Sequence, residues 1–224
     1  MEQRQYSLLE NYMKECMQDS AHDQEHVYRV LYLALDLANY ETNVNQEVLI
    51  AACLLHDIGR EKQFENPFLC HAQIGAEMAY EFCKANGFSS SDAQHIKDCI
   101  STHRYRSDNT PESMEAKILF DADKLDVTGA IGIARTLIYK GQVNEPLYNT
   151  DEKGNVFTKD PNPSFMREYN FKLKDIYDKF YTQRAHQIAS IRQKSAVSFY
   201  DNILSEIQST YKSGVQYLES ALVD

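Results

Sequence analysis

The chain has 224 residues, 43% of them hydrophobic, which predicts one folded domain (1–224) with a sizeable core and argues against a disordered chain. Its 33 acidic and 23 basic residues give a net charge of −10, which argues against broad contact with nucleic acid. We expect a cytoplasmic protein without a membrane span, because there is no long apolar run, no secretory signal, and five scattered cysteines without a Cys-x-x-Cys.

Helical periodicity runs through nearly the whole chain, so we expect an all-α fold. Apolar residues recur three and four positions apart over 8–16 and again over 27–38, which predicts two amphipathic helices. Residues 48–55 are apolar all round, as expected of a central buried helix. Gly59 follows this stretch and is a suitable helix stop.

Start and stop signals frame the next two helices. A fourth helix is predicted from His71 to Ala85, ended by Asn86-Gly87. The Ser-Ser-Ser-Asp run at 89–92 offers caps for a fifth helix that ends near His103.

The second half of the chain alternates helices with one irregular segment. Thr110-Pro111 is expected to open a sixth helix, because proline suits the first helical position. The last helical region is predicted from about 163 to 221, broken once near Thr182. Between them, 140–162 is rich in glycine, proline and asparagine and is expected to form one long irregular loop, a kind of segment that is usually functional or mobile.

Two imidazoles and two carboxylates form a candidate divalent-metal ligand set without a thiolate: His26, the adjacent pair His56-Asp57, and Asp123. Such a set suits manganese, iron, cobalt, nickel or magnesium better than a structural zinc site, which usually takes Cys and His. Open coordination positions would remain for water and phosphate oxygens. We therefore predict a phosphohydrolase with one divalent ion, manganese first among the candidates and zinc also open.

Helix geometry limits how these ligands can meet. On a regular helix His56 and Asp57 point about 100° apart, so both reach one ion only near a helix end or a distortion. Asp123 and Asp126 are three positions apart and share a helix face, whereas Asp121 points elsewhere and could orient a ligand. Burial of this Asp cluster without a cation would be costly.

Three motifs follow one another in the order His, His-Asp, Asp. They read Ala21-His22-Asp23-x-x-His26-Val27-x-Arg29-Val30, Ala51-Ala52-x-Leu54-Leu55-His56-Asp57-Ile58-Gly59 and Asp121-Ala122-Asp123-Lys124-Leu125-Asp126. Together, over roughly residues 20–137, they resemble the HD superfamily of metal-dependent phosphohydrolases. The wider pattern, including His71-x-x-x-Gly75-Ala76 and Gly129-Ala130-Ile131-Gly132, is similar to the bacterial YpgQ/YedJ-like branch.

The resemblance implies an HD-domain helical bundle whose C-terminal helices, over 163–221, complete the pocket. Carried over, it makes His26, His56, Asp57 and Asp123 the metal ligands. The branch implies hydrolysis of nucleoside or deoxynucleoside triphosphates to a monophosphate and pyrophosphate through a metal-bound water. A cyclic-nucleotide or alarmone phosphohydrolase remains an alternative, as does a non-catalytic nucleotide-sensing HD module. A purely helical interaction protein is disfavoured, because it would have no need for these ligands.

Other polar residues are candidates around the metal. The catalytic candidates are Asp57 itself, Glu61, His22 and Asp23. His22 could equally be a surface residue, and Asp23 could equally cap the helix. His71 and His103 would be extra ligands in a binuclear site and otherwise bind phosphate or serve the fold. The expected substrate contacts are Arg60, Lys62, His71, His103, Lys124, Asp126, Lys172 and Arg192. The expected partner is a small nucleotide or other phosphate ester, and the Tyr-rich C-terminal helices could pair into a homodimer.

Overall fold

The computed structural model describes residues 1–17, 24–104, 109–151, 155–157 and 162–222. Within these ranges the chain forms ten α-helices and one short 3-10 turn, and its only β-type pairing is an isolated bridge between Thr150 and Val156. The predicted all-α fold is confirmed. None of the described helices is both long enough and apolar enough to cross a membrane.

The helices vary in length from six residues to 39. In chain order they are α1 Gln3–Cys16, α2 Gln24–Ala38, α3 Gln46–Leu55, α4 Arg60–Glu65, α5 His71–Ala85, α6 Ser90–Thr102, α7 Met114–Leu125, α8 Gly129–Gln142, α9 Phe165–Phe171 and α10 Gln183–Ala221. A 3-10 turn at Leu173–Asp175 follows α9.

The chain divides into two compact units. The first comprises Met1–Asp126 with Phe180–Ala185, and the second comprises Val127–Lys179 with His186–Asp224. The first unit therefore holds α1 to α7, and the second holds α8, α9 and most of α10. A single domain over the whole chain stays a prediction.

Helix α3 is the centre of the first unit. Seven of its ten residues are buried, and α1, α2, α5, α6 and α7 all pack against it. Its start is fixed by Asn45, whose side chain accepts hydrogen bonds from the backbone N–H groups of Glu47 and Val48. Its end at Leu55 leaves His56 and Asp57 in the turn that precedes α4. The expected position of the His-Asp pair at a helix end is thus confirmed.

The next two helices follow their sequence signals. Helix α5 ends at Ala85, and Gly87 takes a left-handed conformation with φ of 90° just beyond it. Helix α6 begins after Ser89, whose hydroxyl accepts from the backbone N–H of Asp92. Cap chemistry therefore predicted both boundaries correctly.

The start of α7 was predicted wrongly. The helix begins at Met114 and not at Thr110-Pro111, because the hydroxyl of Ser113 accepts a hydrogen bond from the backbone N–H of Ala116. A side-chain cap satisfies a free backbone N–H at the helix start. Proline at the first helical position has no N–H and therefore adds no hydrogen bond. Ser113 therefore decides the boundary.

Two glycines allow α5 to approach the turn after α3 very closely. A methyl group built at Gly59 would lie 2.3 Å from the carbonyl oxygen of His71 and 2.7 Å from the backbone nitrogen of Gly75. Both neighbours are backbone atoms, so neither can turn aside as a side chain could. The contact brings the first residue of α5 next to the His-Asp turn.

The second unit contains a helix that the sequence reasoning did not find. Helix α8 runs from Gly129 to Gln142, so the irregular segment begins at Val143 and not at 140. Gly129 has φ of 65° and lies against the side chain of Arg192, and a methyl group at Gly132 would meet the backbone of Val127 at 2.2 Å. These glycines allow close packing. In the sequence they resemble turn residues, so the pattern did not predict this helix.

The last helical region was predicted as one stretch with a single break near Thr182. Instead α9 ends at Phe171, and α10 begins only at Gln183. Apart from the three-residue 3-10 turn, the residues between them are not helical. The interruption is therefore a segment of 172–182 and not a kink.

Candidate metal centre

The four side chains expected to bind a metal lie together in the first unit. His26 Nε2 is 3.4 Å from His56 Nε2 and 3.2 Å from Asp123 Oδ1. Asp57 Oδ2 is 3.5 Å from the Nε2 atoms of both imidazoles. Ligands that bind one ion at about 2.0–2.2 Å lie roughly 3 Å apart, so this spacing suits a divalent ion. Of these four residues, His26, His56 and Asp123 form a group that could hold such an ion.

A second group of donors lies on the other side of Asp57. Its Oδ1 atom is 3.6 Å from His71 Nε2, at the start of α5, and 3.7 Å from His103 Nε2, at the end of α6. All three atoms are buried, and none has a hydrogen-bond partner among the described residues. Unpartnered buried polar atoms are costly, and a cation would satisfy these three. Asp57 thus presents one oxygen to each group.

Each of the four imidazoles is oriented in the same manner. In every case the Nδ1 atom donates a hydrogen bond to an oxygen, and Nε2 is the atom turned towards the cluster. A neutral imidazole held in this way presents the Nε2 lone pair to a metal. The acceptors are Asp126 Oδ2 for His26 (2.8 Å), the Cys53 carbonyl for His56 (2.8 Å), Gln63 Oε1 for His71 (2.5 Å) and the Ile100 carbonyl for His103 (2.6 Å).

The electrostatic environment differs among these imidazoles. Burial lowers the pKa of His56 to about 4 and that of His71 to about 3, so both are neutral near pH 7, as metal binding requires. Burial also lowers the pKa of His26, but hydrogen bonds to the carboxylates of Asp123 and Asp126 outweigh it and raise the value to about 9. Without a metal, His26 therefore holds a proton on Nε2, which an ion would replace.

Asp57 is ionised although it is buried. Burial raises the pKa of its carboxyl, but the Arg60 guanidinium and the neighbouring histidines together hold this pKa well below the usual range. Arg60 Nε donates a hydrogen bond to Asp57 Oδ2, while 37% of the Arg60 side chain stays exposed. The pKa of Asp123 is lowered in the same way, since contact with His26 outweighs burial. Two negative charges therefore face the imidazoles.

These ligands, in this order and held between α2, α3 and α7, match a known domain. Residues 24–128 fit the family model described as HD domain. The chain contains an HD domain. The resemblance to the HD superfamily is confirmed, and with it comes a requirement for a divalent ion, which the donor set and its unpartnered atoms fit.

Relatives extend this similarity over most of the chain. A predicted HD superfamily hydrolase from an uncultured Thermotogales bacterium is 29% identical, with 88% of this chain and 90% of that one covered and a TM-score of 0.62. The uncharacterized protein YpgQ of Bacillus subtilis strain 168 is 25% identical over 194 residues, 85% of this chain and 86% of YpgQ. The structure of B. subtilis YpgQ in complex with ADP is 24% identical, covers 91% and 95%, and has a TM-score of 0.71. The chain is thus similar to these proteins over most of its length, while the match to the HD domain model covers residues 24–128.

Two acidic residues of the α7 motif have contacts that the sequence did not reveal. Asp126 lies behind the HD ligands, where it accepts hydrogen bonds from His26 and Arg29. Asp121 accepts from the backbone N–H groups of Tyr181 and Thr182 and from the Thr182 hydroxyl. It therefore fixes the residues that precede α10, and the expectation that it orients a metal ligand is wrong.

Three further candidates lie near the HD motif in sequence. Lys124 is buried, and its ammonium group lies 4.0 Å from the centre of the Phe120 ring. Glu61 and Lys62 are exposed on α4, and within the described ranges no hydrogen bond or ion pair joins them to the cluster. The proposed roles of all three stay predictions.

The remaining candidates lie elsewhere. Lys172 is exposed and forms an ion pair of 3.1 Å with Glu168 in the second unit, where Arg192 also packs against Gly129. His22 and Asp23 fall outside the described residues. Their catalytic or substrate roles therefore also stay predictions.

Sequence reasoning missed two residues that help to hold imidazoles of the two donor groups, Arg29 through Asp126 and Gln63 directly. Arg29 follows His26 by three positions, so it shares that helix face, and this spacing could have marked it as a partner of a nearby carboxylate. Gln63 anchors His71, and its amide also donates to the Leu69 carbonyl. No sequence signal distinguishes this glutamine from an ordinary exposed one.

Proposed function

We propose that the chain is a metal-dependent phosphohydrolase of nucleotides, which converts a nucleoside or deoxynucleoside triphosphate to a monophosphate and pyrophosphate. The observation that carries the proposal is the convergence of imidazole Nε2 atoms and ionised carboxylates on one largely buried point of the HD domain. The proposal is also supported by YpgQ, whose structure is described in complex with ADP. Manganese is the ion we propose first, because carboxylate oxygens suit it, while the imidazoles leave iron, cobalt, nickel and zinc open.

The chain's own residues have separate tasks in this proposal. His26, His56, Asp57 and Asp123 would hold the ion. A bound divalent ion lowers the pKa of its water and neutralises charge that develops on the phosphate. The anchored imidazoles keep their orientation while substrate binds, so little reorganisation is needed at the moment of reaction.

Positive side chains beside the cluster suit a polyphosphate. Arg60 contacts Asp57 with one edge and is partly exposed, so its other N–H groups can reach substrate oxygens. Arg104 Nη1 is 3.7 Å from Cys70 Sγ, and its charge contributes to the lowered pKa of His71. A chain with a net charge of −10 needs such local cations to hold an anionic substrate.

Product analysis tests the proposal. Metal-stripped protein receives manganese, cobalt, nickel, magnesium or zinc together with nucleoside triphosphates, deoxynucleoside triphosphates, cyclic nucleotides or tetraphosphate alarmones. We expect monophosphate and pyrophosphate in equal amounts, with manganese and not in the metal-free control. Inorganic phosphate alone, or a linearised cyclic nucleotide, would replace the proposed reaction. No turnover despite bound metal would contradict the enzyme proposal and favour a nucleotide-sensing module.

The two donor groups make a second prediction about metal stoichiometry. The group with His26, His56 and Asp123 has its own carboxylate, whereas the group with His71 and His103 shares only Asp57. Fewer negative ligands bind a divalent ion more weakly. Calorimetric titration with Mn²⁺ should therefore show a tight phase of one ion per chain and a weaker phase of one further ion.

A substitution separates the two phases. His103→Gln should abolish the weak phase and keep the tight one. His95→Gln is the matched control, because His95 lies on the same helix and pairs with Glu115 outside both groups. A single phase in the wild type, or loss of the tight phase in His103→Gln, would contradict this assignment.

A further inference from the structure

One imidazole of the cluster is held by an ion pair. His26 Nδ1 donates to Asp126 Oδ2 at 2.8 Å. Arg29 Nε donates to Asp126 Oδ1 at 2.7 Å, and Arg29 Nη2 donates to Oδ2 at 3.1 Å. Asp126 is 1% exposed, whereas 31% of the Arg29 side chain is exposed. The guanidinium thus covers the outer side of a buried carboxylate.

The anchor of His26 differs from those of the other three imidazoles. His56 and His103 donate to carbonyls three residues earlier in the chain, and His71 donates to the neutral amide oxygen of Gln63. Only the His26 ring, among the four, donates to a carboxylate. A carboxylate behind an imidazole fixes the ring orientation and makes the opposite nitrogen a stronger metal ligand.

The same contact connects two of the elements that supply ligands. His26 and Arg29 share one face of α2, three positions apart, and Asp126 ends α7 three residues after Asp123. The α2 and α7 helices pack against each other. The link between Asp126 and α2 therefore sets the spacing between His26 Nε2 and Asp123 Oδ1, which is 3.2 Å.

We propose that Asp126 is a positioning residue of the metal centre: it holds the His26 ring with Nε2 directed at the ion, and Arg29 keeps Asp126 in place. This inference rests on the proposed metal centre but not on the identity of the substrate. It assigns Asp126 to the ion side of the site and not to the substrate contacts that the sequence suggested. Metal affinity, and not substrate affinity, is then what Asp126 controls.

The experiment measures Mn²⁺ affinity of metal-stripped variants by calorimetry, with unfolding temperature in parallel. Asp126→Ala should weaken binding of the tight ion by about 10- to 100-fold, as expected when the partner of a ligating histidine is lost. Asp126→Asn should recover only part of this loss, because its amide oxygen still accepts from His26 Nδ1–H while its NH2 group replaces the acceptor of Arg29 Nε. In assays with saturating Mn²⁺, the nucleotide KM of Asp126→Ala should equal that of the wild type.

The matched control is Asp36→Ala. Asp36 is a carboxylate of α2 itself and is also paired with an arginine, since it accepts from Arg184 Nε at 3.0 Å. Among the described residues it makes no hydrogen bond or ion pair with the proposed ligands. Asp36→Ala should keep wild-type Mn²⁺ affinity even if its unfolding temperature falls.

Three outcomes decide the inference. Asp126→Ala with unchanged Mn²⁺ affinity and a lower unfolding temperature would overturn it and leave a structural ion pair. Unchanged Mn²⁺ affinity with a raised nucleotide KM would also overturn it and make Asp126 a substrate contact. Weakened Mn²⁺ binding, partly rescued by Asp126→Asn, would support it even if the wild type hydrolysed no nucleotide, a result that would contradict only the proposed function.

Discussion

Replacement of Asp57 by asparagine should lower kcat/KM for nucleotide hydrolysis with Mn²⁺ by on the order of 10³-fold, which corresponds to about 4 kcal/mol of transition-state stabilisation. The Oδ2 atom of Asp57 faces His26 and His56, and its Oδ1 atom faces His71 and His103. An amide keeps the shape of this side chain but removes its charge and one acceptor oxygen. The measurement is the initial rate of pyrophosphate release at saturating Mn²⁺.

Asp98→Asn is the matched control for this experiment. Asp98 is exposed on α6, so the same chemical change should leave the rate within about twofold of the wild type, as for most surface substitutions. Circular dichroism at the assay temperature shows whether Asp57→Asn is folded. A tenfold loss of rate corresponds to about 1.4 kcal/mol of transition-state stabilisation. A folded Asp57→Asn protein that lost no more activity than this would contradict the central role of this carboxylate.

Gly59→Ala should destabilise the protein by about 3 kcal/mol, at the upper end of typical overpacking effects. The new methyl group would lie 2.3 Å from the carbonyl oxygen of His71 and 2.7 Å from the nitrogen of Gly75. A shift of α5 relative to the turn after α3 would relieve these contacts, and it would carry His71 away from Asp57. Urea unfolding measures the loss of free energy of unfolding. Calorimetric titration of the Gly59→Ala protein should also show no weak Mn²⁺ phase.

Gly141→Ala provides the comparison. Gly141 lies near the end of α8, and a methyl group there would meet nothing within 4 Å. Alanine should therefore stabilise the helix by about 0.5–1 kcal/mol, because glycine loses more conformational freedom on folding. Wild-type unfolding of Gly59→Ala, or equal destabilisation by both substitutions, would show that the close approach of α5 does not set the stability.

The sequence predicted which residues form the candidate site better than it predicted the contacts that hold them in place. His26, His56, Asp57 and Asp123 could be singled out because imidazoles and carboxylates are rarely placed on apolar helices without a purpose. Their assembly around one point followed from the order of the motifs and from the resemblance that they carry. That Asp57 would face two groups at once depends on where α5 and α6 end, which no spacing in the chain reveals.

The fold shows where local signals succeed and where they fail. Caps at Ser89 and at Asn86-Gly87 are local, so both boundaries could be predicted. Helix α8 contains glycines, which favour turns in isolation. Here a glycine is needed because a neighbour far along the chain, such as Arg192 at Gly129, leaves no room for a side chain. Tertiary packing overrides local propensity at such positions.

Long-range hydrogen bonds account for the rest of what could not be predicted. Asp126 meets His26 across 100 positions, and Asp121 meets Thr182 across 61. Both residues belong to the same short motif, and nothing in that motif shows that one supports a ligand while the other fixes the residues before α10. Only the path of the chain separates these roles.

The anchors of the four imidazoles imply an uneven tolerance to mutation. His56 and His103 donate to the main-chain carbonyls of Cys53 and Ile100. Substitution of either side chain keeps the carbonyl and therefore the hydrogen bond that orients the ring. His26 and His71 depend on the side chains of Asp126 and Gln63, where a change of acceptor alters the basicity of the ring. In the proposed metal centre, two positions outside the ligand set therefore tune the basicity of their imidazoles, while the two rings held by main-chain carbonyls keep their geometry.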